Sequence, residues 1–170
     1  SFDVGVIHDG KPAFSYTSLV HQYAYYLSKV DVHTIGAGGG SIAFINDAGM
    51  LQVGPRSAGA EPGPICYGRG GTEPTITDAN LVLGRLNPDA LLAVDNPVSL
   101  EQLRQRLVAV IGEPLGLDAE GAAAAILQIG NDRMAGAIRM VGLSRGHDPR
   151  DFALFAFGGA GPLHATALAA

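Results

Sequence analysis

The chain has 170 residues, 47% of them hydrophobic, which suffices for one domain with a sizeable core. A net charge of −5 and only 11 scattered Lys and Arg argue against a nucleic-acid partner, and no apolar run approaches the ~20 residues needed to span a bilayer. The single cysteine, Cys66, cannot form an internal disulfide, so a reducing, cytoplasmic setting is expected.

The sequence starts at Ser1 and stops at Ala170 within a stretch that reads as helix, so the expectation is a piece of a longer polypeptide with both ends truncated. Residues 2–7 and 12–17 read as strands joined through Asp9-Gly10, a strong hairpin signal. Residues 18–30 are ambiguous, because Tyr23, Tyr25 and Tyr26 suit a strand or a short helix. A strand over about 30–35 runs into Gly36-Ala37-Gly38-Gly39-Gly40. Ser41–Asn46 and Met50–Val53 form a second hairpin around Asp47-Ala48-Gly49.

From Gly54 to Thr77 prolines and glycines alternate without any period. Structureless loops beyond about 12–15 residues are functional or disordered. Ile65, Cys66, Tyr67 and Arg69 are poor linker residues, so an ordered loop lining a site or interface is expected.

The second half turns helical. Asp78 is expected to cap a short helix through Leu86. Ser99-Leu100-Glu101-Gln102 is a capping box opening a helix that ends near Gly112, with Pro114 beyond. Residues 119–143 form a long Ala-rich helix with two apolar stripes: Leu127, Met134, Ile138 and Val141, then Ile126, Ile129, Ala137 and Met140. Gly130 and Gly136 are expected to allow close packing. Phe152–Phe157 reads as a buried strand, leading through Gly158-Gly159-Ala160-Gly161-Pro162 into a new helix. The fold class is mixed α/β.

Glycine supplies 24 of the 170 residues, about twice its usual ~7% share, without a collagen-like period. A bare loop such as 36–40 serves either as a ligand cradle or as a place where two chain segments nearly touch. The strand–glycine–helix unit at 152–170 offers free N–H groups to an anion, or it is merely a tight turn. It is not a dinucleotide fingerprint, since His164 replaces the third glycine. It is not a Walker loop either, since Gly-Lys-Ser/Thr is absent.

Taken together, "SFDVGVI", the long block from "DVHTIGAGGGSIAFINDAGM" to "TDANLVLGRL", and "RGHDPRDFALFAFGGAGPLHA" resemble the A-type subunit of the hydantoinase/oxoprolinase family. That resemblance implies the actin-like ATPase superfold of sugar kinases and heat-shock chaperones, with residues 1–170 forming much of the second nucleotide-binding domain. It implies a Gly-Gly-Thr just before Ser1, a phosphate loop at Ser1 and Asp3, and an adenosine motif at Gly158, Gly159 and Gly161. Gly38, Gly39 and Gly40 join the nucleotide-binding candidates.

The implied chemistry is ATP-dependent, Mg²⁺-assisted phosphorylation of an unreactive carbonyl. Asp3 is the candidate for holding Mg²⁺ or its waters, or alternatively for ordering the phosphate loop. Asp31 and Asp78 are further catalytic carboxylate candidates; for Asp78 the alternative is a helix cap. Cys66, Arg69 and His164 are substrate-loop candidates. Their plainer alternatives are a buried small hydrophobe, a loop-ordering cation and a histidine bonded within the helix start. His33 shares that ambiguity, and no pair of histidines has a convincing metal spacing.

The function implied is hydrolysis of a cyclic amide such as a hydantoin or 5-oxoproline, the isolated piece being inactive. ATP-dependent ketone carboxylation, a non-catalytic nucleotide module and a glycine-rich structural domain are the alternatives. The implied partners are a small cyclic amide or ketone, a B-type subunit or fused domain, and further copies in an oligomer, without nucleic acid or membrane.

Overall fold

Alternating polar and apolar residues broken by turn formers give the first third of the chain short antiparallel strands. In the computed structural model, which describes residues 1–92 and 94–170, these are β1 (Phe2–Gly5), β2 (Ile7–His8), β3 (Lys11–Pro12), β4 (Phe14–Ser15), β5 (Ser18–Val20), β6 (Tyr23–Tyr25), β7 (Lys29–Val30) and β8 (Val32–Ile35). They pair as β1–β8, β2–β3, β4–β7 and β5–β6. Asp9 and Gly10 turn between β2 and β3 with φ of 50° and 72°, the two left-handed residues of a type I′ hairpin. The ambiguous 18–30 segment holds the short strands β5, β6 and β7 and no helix, with Tyr26 outside them, and Asp3 lies opposite Thr34 in the β1–β8 register.

The second hairpin, β9 (Ser41–Ile45) with β10 (Leu51–Ser57), is closed by Asn46, whose side-chain oxygen accepts from the N–H groups of Ala48 and Met50. Its inner face carries the paired Ala43 and Val53 into the core, while Ile42, on the opposite face, is also buried. In the core the hairpin meets α1 (Ile76–Val82) and α4 (Ala119–Leu143), and α2 (Leu100–Leu107) packs on both of those helices. Burial follows the helical period along α4 through Ala119, Ala122, Ala123, Ile126, Leu127, Gly130, Met134, Ala137 and Val141. A Cβ on Gly130 would lie 2.9 Å from Ile76 Cδ1, so this glycine does allow α1 to pack closely.

Four expectations need correction. Helix α1 begins at an N-cap three residues before Asp78: Thr75 is the cap, and Asp78 is the third helical residue of a capping box. The Ser99-capped helix does not stop at Gly112. It widens into a π turn over Val108–Gly112, continues as α3 (Glu113–Leu115) and ends at Gly116 with φ 67°. Pro114 is tolerated because it falls in the first turn after the register change, where its missing N–H is not needed. Gly136 is exposed, and its added Cβ would meet nothing within 4 Å, so it packs against no neighbour.

Finally, Phe152–Phe157 is neither buried nor a strand; Phe155 is 83% exposed and Phe157 78%. An apolar run encodes the environment a strand suits, but a ladder also needs a partner, and none of the described strands pairs with this segment. It leads into α5 (Gly161–Ala169), which packs on α4.

The 54–77 segment is built into the body of the domain. Extension of β10 to Ser57 and a 3₁₀ turn over Ile65–Tyr67 give it structure, and Ile65 and Cys66 are buried.

Candidate functional site

The glycine run at 36–40 and the bend at 158–161 are brought together. A Cβ on Gly39 would sit 2.7 Å from Thr77 Oγ1 and 3.5 Å from Ala160 Cβ, and one on Gly38 would sit 3.2 Å from the Ser1 nitrogen. Ser1, the Gly38–Gly39 backbone, Thr77 and Ala160 therefore meet at one place. Thr77 N–H donates to the Gly39 carbonyl at 2.8 Å, and Gly38 N–H donates to Ser41 Oγ at 2.9 Å, fixing the loop.

The two glycine motifs nevertheless have different physical reasons. Protein atoms fill the Cβ positions of Gly36, Gly38, Gly39 and Gly40, the nearest belonging to Pro55, Ser1, Thr77 and Ser57. These glycines permit segments to touch. At Gly158, Gly159 and Gly161 an added Cβ meets nothing within 4 Å. This bend, opening a helix without a side-chain cap, leaves room for a bound group.

Asp3 is exposed at the β1 edge. Its carboxylate accepts from Thr34 Oγ1 at 2.5 Å and Ser1 Oγ at 3.0 Å, and these two bonds, the Thr34 bond foremost, hold its pKa below the usual carboxylate value. Mg²⁺ keeps several waters and is commonly held by one or two carboxylates plus substrate phosphates. A lone ionised carboxylate beside the glycine site fits that mode. Among the described residues no cluster of three or more His, Cys, Asp or Glu could enclose a metal.

The other carboxylates are engaged elsewhere. Asp31 is ion-paired to Arg145, which also donates to the Val141 carbonyl, so it ties the start of β8 to the end of α4. Asp78 is fully buried and accepts from the N–H groups of Ile65, Cys66 and Thr75 and from the Thr75 hydroxyl, at 2.8–3.2 Å. Every one of these partners donates, so Asp78 organises the 3₁₀ turn and the α1 cap. Burial replaces the catalytic assignment of Asp78 by a structural one, whereas Asp31 stays partly exposed with its charge met by Arg145.

Burial, then the Asp78 charge, pushes the Cys66 thiol well above its ordinary value, which removes it as a nucleophile. Arg69 lies over the Tyr67 ring at 5.7 Å and donates to the Ala60 carbonyl at 3.4 Å, ordering the loop. His164 is buried in the first turns of α5, with Nδ1 2.7 Å from Asn131 Oδ1 on α4; Nε2 has no partner. Burial chiefly, and Arg85 secondarily, lower its pKa, so the neutral ring donates to Asn131 and pins α5 to α4.

Thr34, Thr77 and Asn131 escaped notice in the sequence. Thr34 is recognisable only through the β1–β8 register, whereas Thr77 stood in plain view two residues from the start of a capping box.

The body is mixed α/β, and its structural neighbours carry the actin-like ATPase fold. Two solved structures share it: the ATP-dependent caprolactamase of Pseudomonas jessenii, with TM-score 0.83 and 50% identity over 92% of this chain and 23% of that one, and a nucleotide-free acetone carboxylase, with TM-score 0.85 and 30% identity over 98% of this chain and 24% of that one. The hydantoinase/oxoprolinase family model matches residues 1–170, and the chain belongs to that family. In sequence it is 48% identical over 169 residues to the caprolactamase alpha subunit, covering 99% of this chain and 24% of that one. It is 42% identical over 170 residues to the acetophenone carboxylase gamma subunit of Aromatoleum aromaticum, covering 99% and 23%. The chain thus spans about a quarter of the length of the relatives it matches.

Proposed function

We propose that residues 1–170 are the second nucleotide-binding domain of an enzyme that spends ATP to open a cyclic amide. The observation that carries this reading is the open Gly158–Gly161 bend, whose Ala160 lies against Gly39, next to the Gly38 that touches Ser1, in a chain 48% identical to a caprolactamase subunit. ATP phosphorylates the amide oxygen and ADP is released. One water then attacks the activated carbon, and the C–N bond breaks with the proton passing to the ring nitrogen. This leaves a ring-opened acyl phosphate, which a second water cleaves to the amino acid and phosphate.

Each group of this chain has a distinct part. The 158–161 backbone receives the nucleotide, with free N–H groups at the start of α5 facing anionic oxygen. Asp3, kept ionised by Thr34 and Ser1, would hold Mg²⁺ or its waters, which would neutralise phosphate charge during transfer. The Gly38–Gly40 segment sets the separation between the β1 edge and the bend.

A B-type subunit or fused domain completes the enzyme in an oligomeric assembly, and the free, buried thiol of Cys66 accords with a cytoplasmic location. Ketone carboxylation is the second reading, favoured by the 42% identity to acetophenone carboxylase.

The test uses the full-length protein with its partner subunit. Gly159→Val is expected to lower ATP affinity at least tenfold while leaving the fold intact, because its added carbons enter open space. Unchanged affinity would remove the bend from the nucleotide site. ADP release independent of every cyclic amide and ketone supplied would remove both readings.

A further inference from the structure

Strand alternation sets the two faces of the β1–β8 ladder. Phe2, Val4, His33 and Ile35 are half-buried, and α4 packs against both strands, while Asp3 and Thr34 share the exposed face. These two stand directly opposite each other, at a separation where cross-strand side chains touch. Thr34 Oγ1 donates to Asp3 Oδ1 at 2.5 Å and Ser1 Oγ donates to Asp3 Oδ2 at 3.0 Å. Each carboxylate oxygen is thus held by one side-chain donor and keeps further acceptor capacity for a ligand.

The two donors fix different things. Ser1 lies on the same segment, two residues from Asp3, and moves with it. Thr34 lies on the opposite strand, two residues before Gly36, where β8 runs into the glycine loop. That loop is anchored in turn: Gly36 sits against Pro55, Gly39 against Thr77 and Ala160, and Ala37 N–H donates to the Ile35 carbonyl at 2.9 Å. The Thr34 bond therefore registers the Asp3 carboxylate against the loop that touches the 158–161 bend. A β-branched residue is stiff at χ1, so its hydroxyl stays where the strand puts it. Strand propensity alone would be met equally well by valine, which offers no donor.

Resting on the ATP-dependent reading above, we infer that Thr34 is a positioning residue, whose hydroxyl locks the exposed Asp3 carboxylate in the orientation from which it meets the cation accompanying the nucleotide. Without that donor an exposed aspartate exchanges among rotamers and has to be ordered when the cation binds. Ordering one such side chain corresponds to about three- to tenfold in affinity.

The experiment uses the full-length protein with ADP and Mn²⁺ in place of Mg²⁺, and reads free Mn²⁺ by electron paramagnetic resonance. Thr34→Val is expected to raise the Kd for Mn²⁺ about three- to tenfold, and Thr34→Ser, which restores the donor, to stay within about twofold of wild type. Metal-free ADP affinity and the urea midpoint are expected to be equal in all three, because Thr34 is exposed and valine suits the strand.

Asp3→Asn separates this inference from the reading beneath it. Weakened Mn²⁺ binding in Asp3→Asn, with Thr34→Val matching wild type, would overturn the role of Thr34 alone. Equal weakening in Thr34→Val and Thr34→Ser, or a urea midpoint that falls along with Mn²⁺ affinity in Thr34→Val, would overturn it too, since either marks a structural residue. Mn²⁺ affinity unchanged in Asp3→Asn would instead remove Asp3 from the cation site, and this inference with it.

Discussion

Asp78 offers the sharpest separation of chemistry from architecture, because substitution there has opposite signatures under the two roles. Its carboxylate is fully buried and satisfies four donors on Ile65, Cys66 and Thr75. Each buried donor stranded by Asp78→Ala costs about 1–3 kcal/mol. Local relaxation and water entry reduce the simple sum, which places the loss at about 3–5 kcal/mol, the range for breaking a buried charged network. Against a total stability of about 5–15 kcal/mol, that approaches unfolding. Asp78→Asn keeps one acceptor oxygen but turns an amide NH₂ toward donors, and about 2 kcal/mol is expected. Urea titration followed by circular dichroism reads both. A midpoint unchanged in Asp78→Asn, with ADP release abolished, would refute the architectural assignment and restore a catalytic carboxylate.

Other outcomes test neighbouring steps. Gly112→Ala sets a Cβ 2.5 Å from the Leu117 carbonyl oxygen, which is backbone and cannot swing away, so a loss of about 1–3 kcal/mol is expected. Gly136→Ala, in open space on α4, should gain about 0.5–1 kcal/mol; equal urea midpoints would contradict both. His164 has its folded pKa lowered, so the unfolded chain binds more protons at mildly acid pH and stability rises with pH. The contribution is full above the ordinary value of 6.5 and is lost progressively as pH falls from there through the folded value. Wild type should therefore lose more stability between pH 7.5 and 5 than His164→Gln, and parallel losses would show that the ring does not titrate on unfolding. Asp31→Ala and Arg145→Ala should each destabilise, with a coupling energy of about 1 kcal/mol in a double-mutant cycle, whereas additive effects would deny the ion pair.

Local rules reached far into this fold. The Asp9-Gly10 and Asp47–Gly49 turns, the Ser99 capping box and the 119–143 helix are all set by residues close in sequence, and each formed where the pattern placed it. The failures occur where a neighbour distant in sequence decides. Thr75 and Asp78 share one capping box, so the preference of Asp for helix starts was satisfied at the third helical position and not at the cap itself. Phe152–Phe157 carries the composition of a buried strand but has no ladder partner among the described residues.

The same distinction divides the site. Glycine content announces bare backbone, but not whether the vacated volume belongs to protein or to ligand. At 36–40 the volume is taken by Pro55, Ser1, Thr77 and Ser57, all of them well separated from the loop in sequence, and no local rule could have supplied them. At 158–161 it is open. The carboxylates sort in the same manner: Asp31 and Asp78 look as available as Asp3 in a sequence, yet Asp78 is filled by four donors and Asp31 has its charge met by Arg145. Asp3, braced from beside it by Ser1 and from across the strand pair by Thr34, alone of the three stays at an exposed edge beside the glycine site. Under the proposed reading, the backbone donors at the start of α5 call for anionic oxygen, while the exposed Asp3 carboxylate calls for a cation. Magnesium-bound phosphate satisfies both demands at once.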